Sequence, residues 1–226
     1  MIGQLVTVPG GRGRAELGQF YGLNVLRGSA DPAGFWGEHR LRRAGRELRR
    51  GGVRRVLTPR DFAWWPLLER LGLRPVEVDA FVRAQSAPLA LELLERRGLA
   101  PDRATVALRG LRAGRDMART AEQLCRRVRS LVVDAPQGGE ELAAWLRREF
   151  GIPVLPPGEG CHVSLCFHPD CSRREGEALE LYGPRPRLAG LILSAARLRE
   201  EDREDLSVLS ALWEGGKLRP GDIKIT

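Results

Sequence analysis

The 226-residue sequence predicts an α/β fold, with a mostly parallel sheet flanked by helices. Three observations carry that reading. Short β-like apolar runs alternate with stretches of helical periodicity along most of the chain. The alternation is sharpest between 104 and 155. There Thr105-Val106-Ala107-Leu108 stops at Gly110, Gly114 follows, and a helical stretch leads to Leu131-Val132-Val133 and Asp134. A second helix, 140–150, then ends at Gly151 before Pro153-Val154-Leu155. Finally, hydrophobic residues make up 42 % of the chain, which is enough for a sizeable core at this length.

The elements follow in order. Leu5 to Val8 reads as a strand, residues 9–13 as a turn, and Phe20 to Leu26 as a returning strand, giving an opening hairpin. Asp31-Pro32 reads as a helix start. That helix is expected to run to Arg50, with Gly37, Leu41, Ala44 and Leu48 on one face and arginines on the other. Gly51-Gly52 stops it. Val53 to Thr58 is a strand, Phe62 to Leu71 a helix and Val76 to Val78 a short strand. A linking helix carries Ala87, Ala90, Leu91 and Leu94 as its apolar stripe and ends at Gly98. After the 104–155 unit and a turn-rich loop at 156–160, Val163 to Phe167, Leu179 to Tyr182 and Leu191 to Leu193 read as β. Residues 168–177 are polar and expected to be mobile. The last helix is expected to begin in Glu200-Glu201-Asp202, where acids favour a helix N-terminus, and to end at Gly215. The tail to Thr226 is expected to be extended. The domain reading is an N-terminal α/β part, 1–85, and a second part, 86–226, with the linking and C-terminal helices. One continuous domain is the alternative.

The net charge of +8 is unevenly spread. Residues 1–85 hold 15 arginines against 8 acids, and Gly37 to Arg60 alone holds 9 arginines against Glu38 and Glu47. Such a patch could meet a polyanion. Yet Lys217 and Lys224 are the only lysines, which suggests a chain-wide preference for arginine. No aromatic residues are interleaved with these arginines to stack bases. Nucleic acid is therefore not the expected partner. No apolar run is long enough to cross a bilayer, and the N-terminus lacks the basic-then-apolar pattern of a signal peptide, so a cytoplasmic location is expected. Four cysteines do not make a disulfide scaffold in that compartment.

The glycine turn carries the ligand chemistry. A glycine after a strand lets backbone approach a pyrophosphate, and the following helix presents free N–H groups to the phosphates. An acid at the tip of the next strand can accept hydrogen bonds from a ribose diol. Gly110, Gly114 and Asp134 stand where those roles require. The full pattern wants Gly-x-Gly-x-x-Gly; here Arg112 and Arg115 occupy the second and third glycine positions. The two arginines either contact phosphate or block its approach. The cofactor-binding candidates are thus Gly110, Arg112, Gly114, Arg115 and Asp134 in a Rossmann-like βαβαβ unit. The competing reading makes them ordinary turn and strand-end residues.

The stretch 86–155 resembles the cofactor domain of shikimate dehydrogenase and similar NAD(P)-dependent enzymes. That resemblance implies a helix leading into a strand and glycine turn, with NAD or NADP as the cofactor. It places Gly110 and Gly114 in the turn and Asp134 at the second strand end. The first 85 residues hold no lysine, so the lysine–aspartate pair of shikimate dehydrogenase has no counterpart there.

A second constellation is Cys161-His162-Val163-Ser164-Leu165-Cys166-Phe167-His168-Pro169-Asp170-Cys171. Strand alternation would put His162, Cys166 and His168 on one face, with Cys171 able to swing back as a fourth zinc ligand. The spacing matches no known zinc signature, and buried cysteine packs like a small hydrophobe, so packing is the expectation. A third reading makes Cys166, beside His162 or His168, a thiolate nucleophile. His168, expected at the carboxyl edge of the sheet, is the candidate for proton transfer, because histidine titrates near neutral pH. The leading functional expectation is binding of a nucleotide or phosphorylated small molecule, in an oxidoreductase-like protein with a degenerate glycine motif. The alternative is a non-enzymatic scaffold or regulator that keeps the fold without a working site.

Overall fold

The computed structural model describes residues 1–171 and 176–226. Residues 172–175, part of the polar segment at 168–177, lie outside the described residues. In chain order the elements are β1 (Ile2–Thr7), β2 (Arg12–Phe20), β3 (Leu23–Ala30), α1 (Gly37–Arg50), β4 (Arg55–Leu57), α2 (Trp65–Glu69) and β5 (Arg74–Pro75). Then come α3 (Asp79–Ala84), α4 (Ser86–Arg96), β6 (Thr105–Arg109), α5 (Arg115–Cys125), β7 (Ser130–Asp134), α6 (Gly139–Phe150) and β8 (Val154–Leu155). The chain ends with β9 (Val163–Cys166), β10 (Glu177–Glu180), β11 (Leu193–Ser194), α7 (Leu206–Glu214) and β12 (Lys224–Ile225). Among the described residues no helix is long and apolar enough to cross a membrane.

The chain forms two compact units. One comprises Met1–Glu77 with Ala195–Ile223, the other Val78–Ser194 with Lys224–Thr226. Helix α7, which the sequence reading grouped with the second part, belongs to the first unit. There Ser210 Oγ donates to Glu77 O at 2.7 Å, and Glu214 pairs with Arg55 at 2.8 Å.

The first unit holds a five-stranded sheet in the order β2-β3-β1-β4-β5. β3, β1, β4 and β5 run parallel, and only β2 is antiparallel, to β3. The expected opening hairpin is therefore displaced. The hairpin is β2–β3, closed by Tyr21-Gly22, both with positive φ (48° and 76°) as a two-residue hairpin turn demands. β1 instead pairs side by side with β3, from Ile2 opposite Val25 to Thr7 opposite Ala30. α1 starts at Gly37 rather than at Asp31, because the Asp31 carboxylate accepts from Gly10 N and Ala33 N and holds the preceding loop instead. Its predicted apolar face is correct: Gly37, Leu41, Ala44 and Leu48 are buried. Leu41, Ala44 and Leu48 form the core with Leu5, Ala30, Val53 and Val56. The helix expected over 62–71 shrinks to α2. The short strand expected at 76–78 lies at Arg74–Pro75 instead.

The second unit holds a wholly parallel five-stranded sheet, β10-β9-β6-β7-β8. Numbered within the unit, the order is 3-2-1-4-5 read from β8, the strand order of Rossmann-like sheets. Thr105–Arg109 and Val163–Cys166 are buried throughout, as central parallel strands require. The strand expected at 191–193 is not part of this sheet; Leu193–Ser194 pairs antiparallel with Lys224–Ile225. α7 begins later than the acidic run, at Leu206. Asp205 caps it, its Oδ1 accepting from Ser207 N and Val208 N.

Candidate functional site

The order of the second sheet reverses at β6. From there the chain crosses to β7 and β8 on one side, and returns to β9 and β10 on the other. In open parallel sheets the loops diverge at such a point, leaving a crevice at the carboxyl ends. Here those ends bring together the 110–114 turn after β6 and the 167–171 turn after β9. Phe167 N donates to Arg109 O at 2.9 Å and joins the two. Gly110 sits in a tight place: a Cβ there would lie 3.1 Å from Met117 Cε, the flexible end of that side chain, and 3.5 Å from Phe167 Cβ. Gly114 does not. It stands at the N-cap of α5 with φ −84°, and a Cβ would meet nothing within 4 Å. No side chain caps the first N–H groups of α5.

The turn itself is laced to the neighbouring β7–α6 loop. Gly110 N donates to Asp134 O at 3.0 Å, Ala113 N to Gln137 O at 2.8 Å, and Gln137 N to Leu111 O at 3.2 Å. Gly114 N donates to Arg112 O at 2.9 Å. These bonds extend the β6–β7 ladder into the turn and engage amides of the glycine loop. Arg112 and Arg115 are exposed on either side of Gly114.

The central polar feature of the unit is Arg109, the last residue of β6, for which the sequence offers no signal. Its side chain is 1 % exposed. Nη1 donates to Asp134 Oδ2 at 2.8 Å and Nε to Ser164 Oγ at 3.2 Å, and Nη2 lies 3.9 Å from Cys161 Sγ. The register explains the convergence. Arg109 lies opposite Asp134 on β7, while Ser164 stands opposite Ala107, one pleat away on the same face. The acid expected to hold a ribose diol is thus already half of an ion pair.

His168 lies where expected, just beyond β9 at the carboxyl edge. Its Nδ1 accepts from Asp170 N at 3.2 Å, which puts the neutral ring's proton on Nε2. Asp170 Oδ2 is 3.5 Å away. Cys171 turns back beneath it, Sγ donating to His168 O at 2.8 Å and contacting Arg109 O at 3.4 Å. Gly110, His168 and Cys171 therefore lie together at the carboxyl edge, with Cys166 buried opposite Arg109. His162 does not join them. Its Nδ1 accepts from Thr105 N at 3.0 Å, at the amino end of the sheet. Among the described residues no three His, Cys, Asp or Glu side chains converge as metal ligands would.

Arg83 of α3 is a further site residue missed in the sequence. It donates to Phe167 O at 3.1 Å and Leu181 O at 3.3 Å, across the carboxyl ends of β9 and β10. It also lies 3.5 Å from Asp79 and 3.9 Å from Asp116 in the first turn of α5. The Asp79–Arg83 spacing was visible as a helical i,i+4 pair; its link to the crevice was not.

No protein-family model matches the chain, and no curated protein matches it. Among solved structures it is similar to L-tryptophan dehydrogenase from Nostoc punctiforme, at 20 % identity and a TM-score of 0.33. The match covers 64 % of this chain and 44 % of that one, so the chain spans under half of that protein's length. A likeness at that TM-score has no bearing on substrate, cofactor or mechanism. The Rossmann-like character rests on the strand order and the parallel register.

Proposed function

We propose that the second unit binds a nucleotide or another phosphorylated small molecule at the carboxyl edge between β6 and β9. The observation that carries this reading is an uncapped helix N-terminus, that of α5, standing at the strand-order reversal of a parallel sheet. Phosphate would meet the first N–H groups of α5, with Arg112 and Arg115 beside it. NAD or NADP is the cofactor class this placement suits. In an oxidoreductase-like protein, His168 would then sit across the crevice, with Nε2 as the nitrogen for proton transfer. One observation favours a second reading, a scaffold or regulator without a working cofactor site: Asp134 is held by Arg109 rather than left for a ribose.

A thermal-shift titration separates the two. A nucleotide at 100 times its dissociation constant adds about 2.7 kcal/mol, which for a chain of this size raises Tm by roughly 5–11 °C. Gly114→Trp should abolish the rise, because the indole fills the space before α5 without a backbone penalty at that φ. A panel of NAD(H), NADP(H) and mononucleotides that moves nothing at millimolar concentration would leave the scaffold reading.

A further inference from the structure

The first unit carries its own cleft, about 770 Å³ in volume, inside the roughly 300–1,000 Å³ range of small-molecule sites. Its construction follows from the register. Gln4 of β1 lies opposite Arg27 of β3, so both project from the same sheet face. Leu5 and Gly28 belong to the other face, where Leu48 of α1 packs; a Cβ on Gly28 would lie 3.3 Å from its side chain. The cleft therefore opens over the face that α1 leaves alone. Val208 of α7 and the segment before that helix form one wall, and Thr58–Arg60 beyond β4 form the rim. β1 is also where this sheet's order reverses, with β3 on one side and β4, reached through α1, on the other. The cleft runs along this face from Tyr21 at the amino edge of β3 to Thr58–Arg60 beyond the carboxyl end of β4, and carboxyl ends beside such a reversal are where ligands bind in parallel sheets.

The polar groups divide by charge. On the acidic wall stand three carboxylates, of which Glu201 lies 3.9 Å from its neighbour Arg199. Asp202 Oδ2 accepts from the Tyr21 hydroxyl at 2.7 Å, and that hydroxyl accepts from Arg199 N at 3.1 Å. Asp205 caps α7. On the opposite side Arg27 donates Nε to Gln4 Oε1 at 2.9 Å and Nη2 to Gln19 O at 3.1 Å, both neutral acceptors. Among the described residues neither Arg27 nor Arg60 has a carboxylate partner. Arg27 is a partly buried cation laid on the cleft floor, a position that costs desolvation and is offset by an arriving anion. The rim is held in uncommon backbone. Asp61, directly after Arg60, has a left-handed φ of 55°, a conformation that clusters at ligand-binding loops.

We propose that this cleft binds a small organic anion, a carboxylate or a phosphate ester, with the guanidinium groups of Arg27 and Arg60 as its charge partners. The proposal is independent of the crevice in the second unit. The test is a thermal-shift series on the full chain with glycerol 3-phosphate, succinate, glutamate and inorganic phosphate at millimolar concentration. Sodium chloride at matched ionic strength is the blank. An organic probe should raise Tm by several degrees, equally in Gly114→Trp, and the rise should vanish in Arg60→Gln and Arg27→Gln. Arg60 is exposed, so its variant folds whatever Arg27→Gln does; circular dichroism checks both. A response to glycerol 3-phosphate alone assigns the phosphate ester, and a response to succinate or glutamate assigns the carboxylate. The proposal is overturned if no organic probe shifts Tm, if inorganic phosphate does as well as the organic probes, if the rise survives both arginine variants, or if Gly114→Trp removes it.

Discussion

Arg109 and Asp134 form a 2.8 Å ion pair across adjacent parallel strands, with the guanidinium side chain 1 % exposed. Removing one member of a buried pair leaves the other charge uncompensated, at a cost of about 3–5 kcal/mol. Arg109→Ala should therefore destabilise the chain by about that much in urea unfolding, and it also removes the Nε bond to Ser164 Oγ. Asp134→Asn should cost less, because the amide oxygen still accepts from Nη1. The Arg109→Met, Asp134→Leu double variant should lose far less than the sum of the single losses. Additive losses would show that the two side chains do not act as a pair.

How much of this was legible beforehand differs from residue to residue. The 104–155 unit was readable because its strands are continuous apolar runs and its helices are bounded by glycines. Arg109 was not, because its meaning depends on the β6–β7 and β6–β9 registers, which spacing in sequence does not encode. β2 was missed because an edge strand, Arg12–Phe20, is mostly solvent-facing and its pattern is polar. The pairing of β1 with β3 was hidden for the same reason. Asp31-Pro32 reads as a helix start, but the Asp31 side chain bonds to Gly10 N, 21 residues away, and no local pattern announces that. The cleft in the first unit was not legible, because it gathers residues of β1, β3, the end of β4 and α7 that no local pattern brings together.

Asp31 should contribute an acid-sensitive share of stability. Hydrogen bonds from Gly10 N and Ala33 N, and then the Arg40 guanidinium, hold its carboxyl below the ordinary value of 3.8. A folded-state pKa below the unfolded one means that the contribution is complete above the unfolded value. It is lost as pH falls through the lowered folded value. Asp31→Asn should therefore be less stable than the parent at neutral pH, and the gap should narrow below pH 3.8. Denaturant midpoints across an acid series measure it; a gap that stays constant with pH would assign the effect to packing.

The arginines of α1 are expected to give only weak nucleic-acid binding. Arg43, Arg46 and Arg50 are exposed opposite Leu41 and Leu48, as predicted. Arg40 instead turns to Asp31 at 3.3 Å, while Arg42 pairs with Glu38 at 2.6 Å and Arg50 with Glu47 at 2.8 Å. The fold does bring Trp64 into a groove with Arg42, Arg46 and Arg70, an aromatic neighbour invisible in the sequence. With several guanidinium groups already paired, few phosphates can be neutralised, and the salt slope follows the number neutralised. Mobility-shift assays should show no tight complex near physiological salt. A strong complex that weakens steeply with salt, and that Trp64→Ala impairs, would contradict this.

The cysteine–histidine segment should purify without stoichiometric metal. A zinc ion needs its ligand atoms at about 2.0–2.3 Å from one point. β9 separates the candidates instead. His162 precedes the strand and is held by Thr105 N at the amino end, whereas His168 and Cys171 follow it at the carboxyl end. From 162 to 166 an extended chain covers roughly 13 Å, too far for His162 to share an ion with His168 and Cys171. Cys171 is further engaged with His168 O and Arg109 O, so it serves the turn rather than facing outward. Metal analysis of protein purified without a His-tag should find no near-stoichiometric zinc, and Cys166→Ser should leave that result unchanged. Zinc near one per chain, lost in Cys166→Ser, would mean that the segment refolds around a metal. Metal-free, folded protein would leave His168 as the one proposed site for proton transfer in this segment.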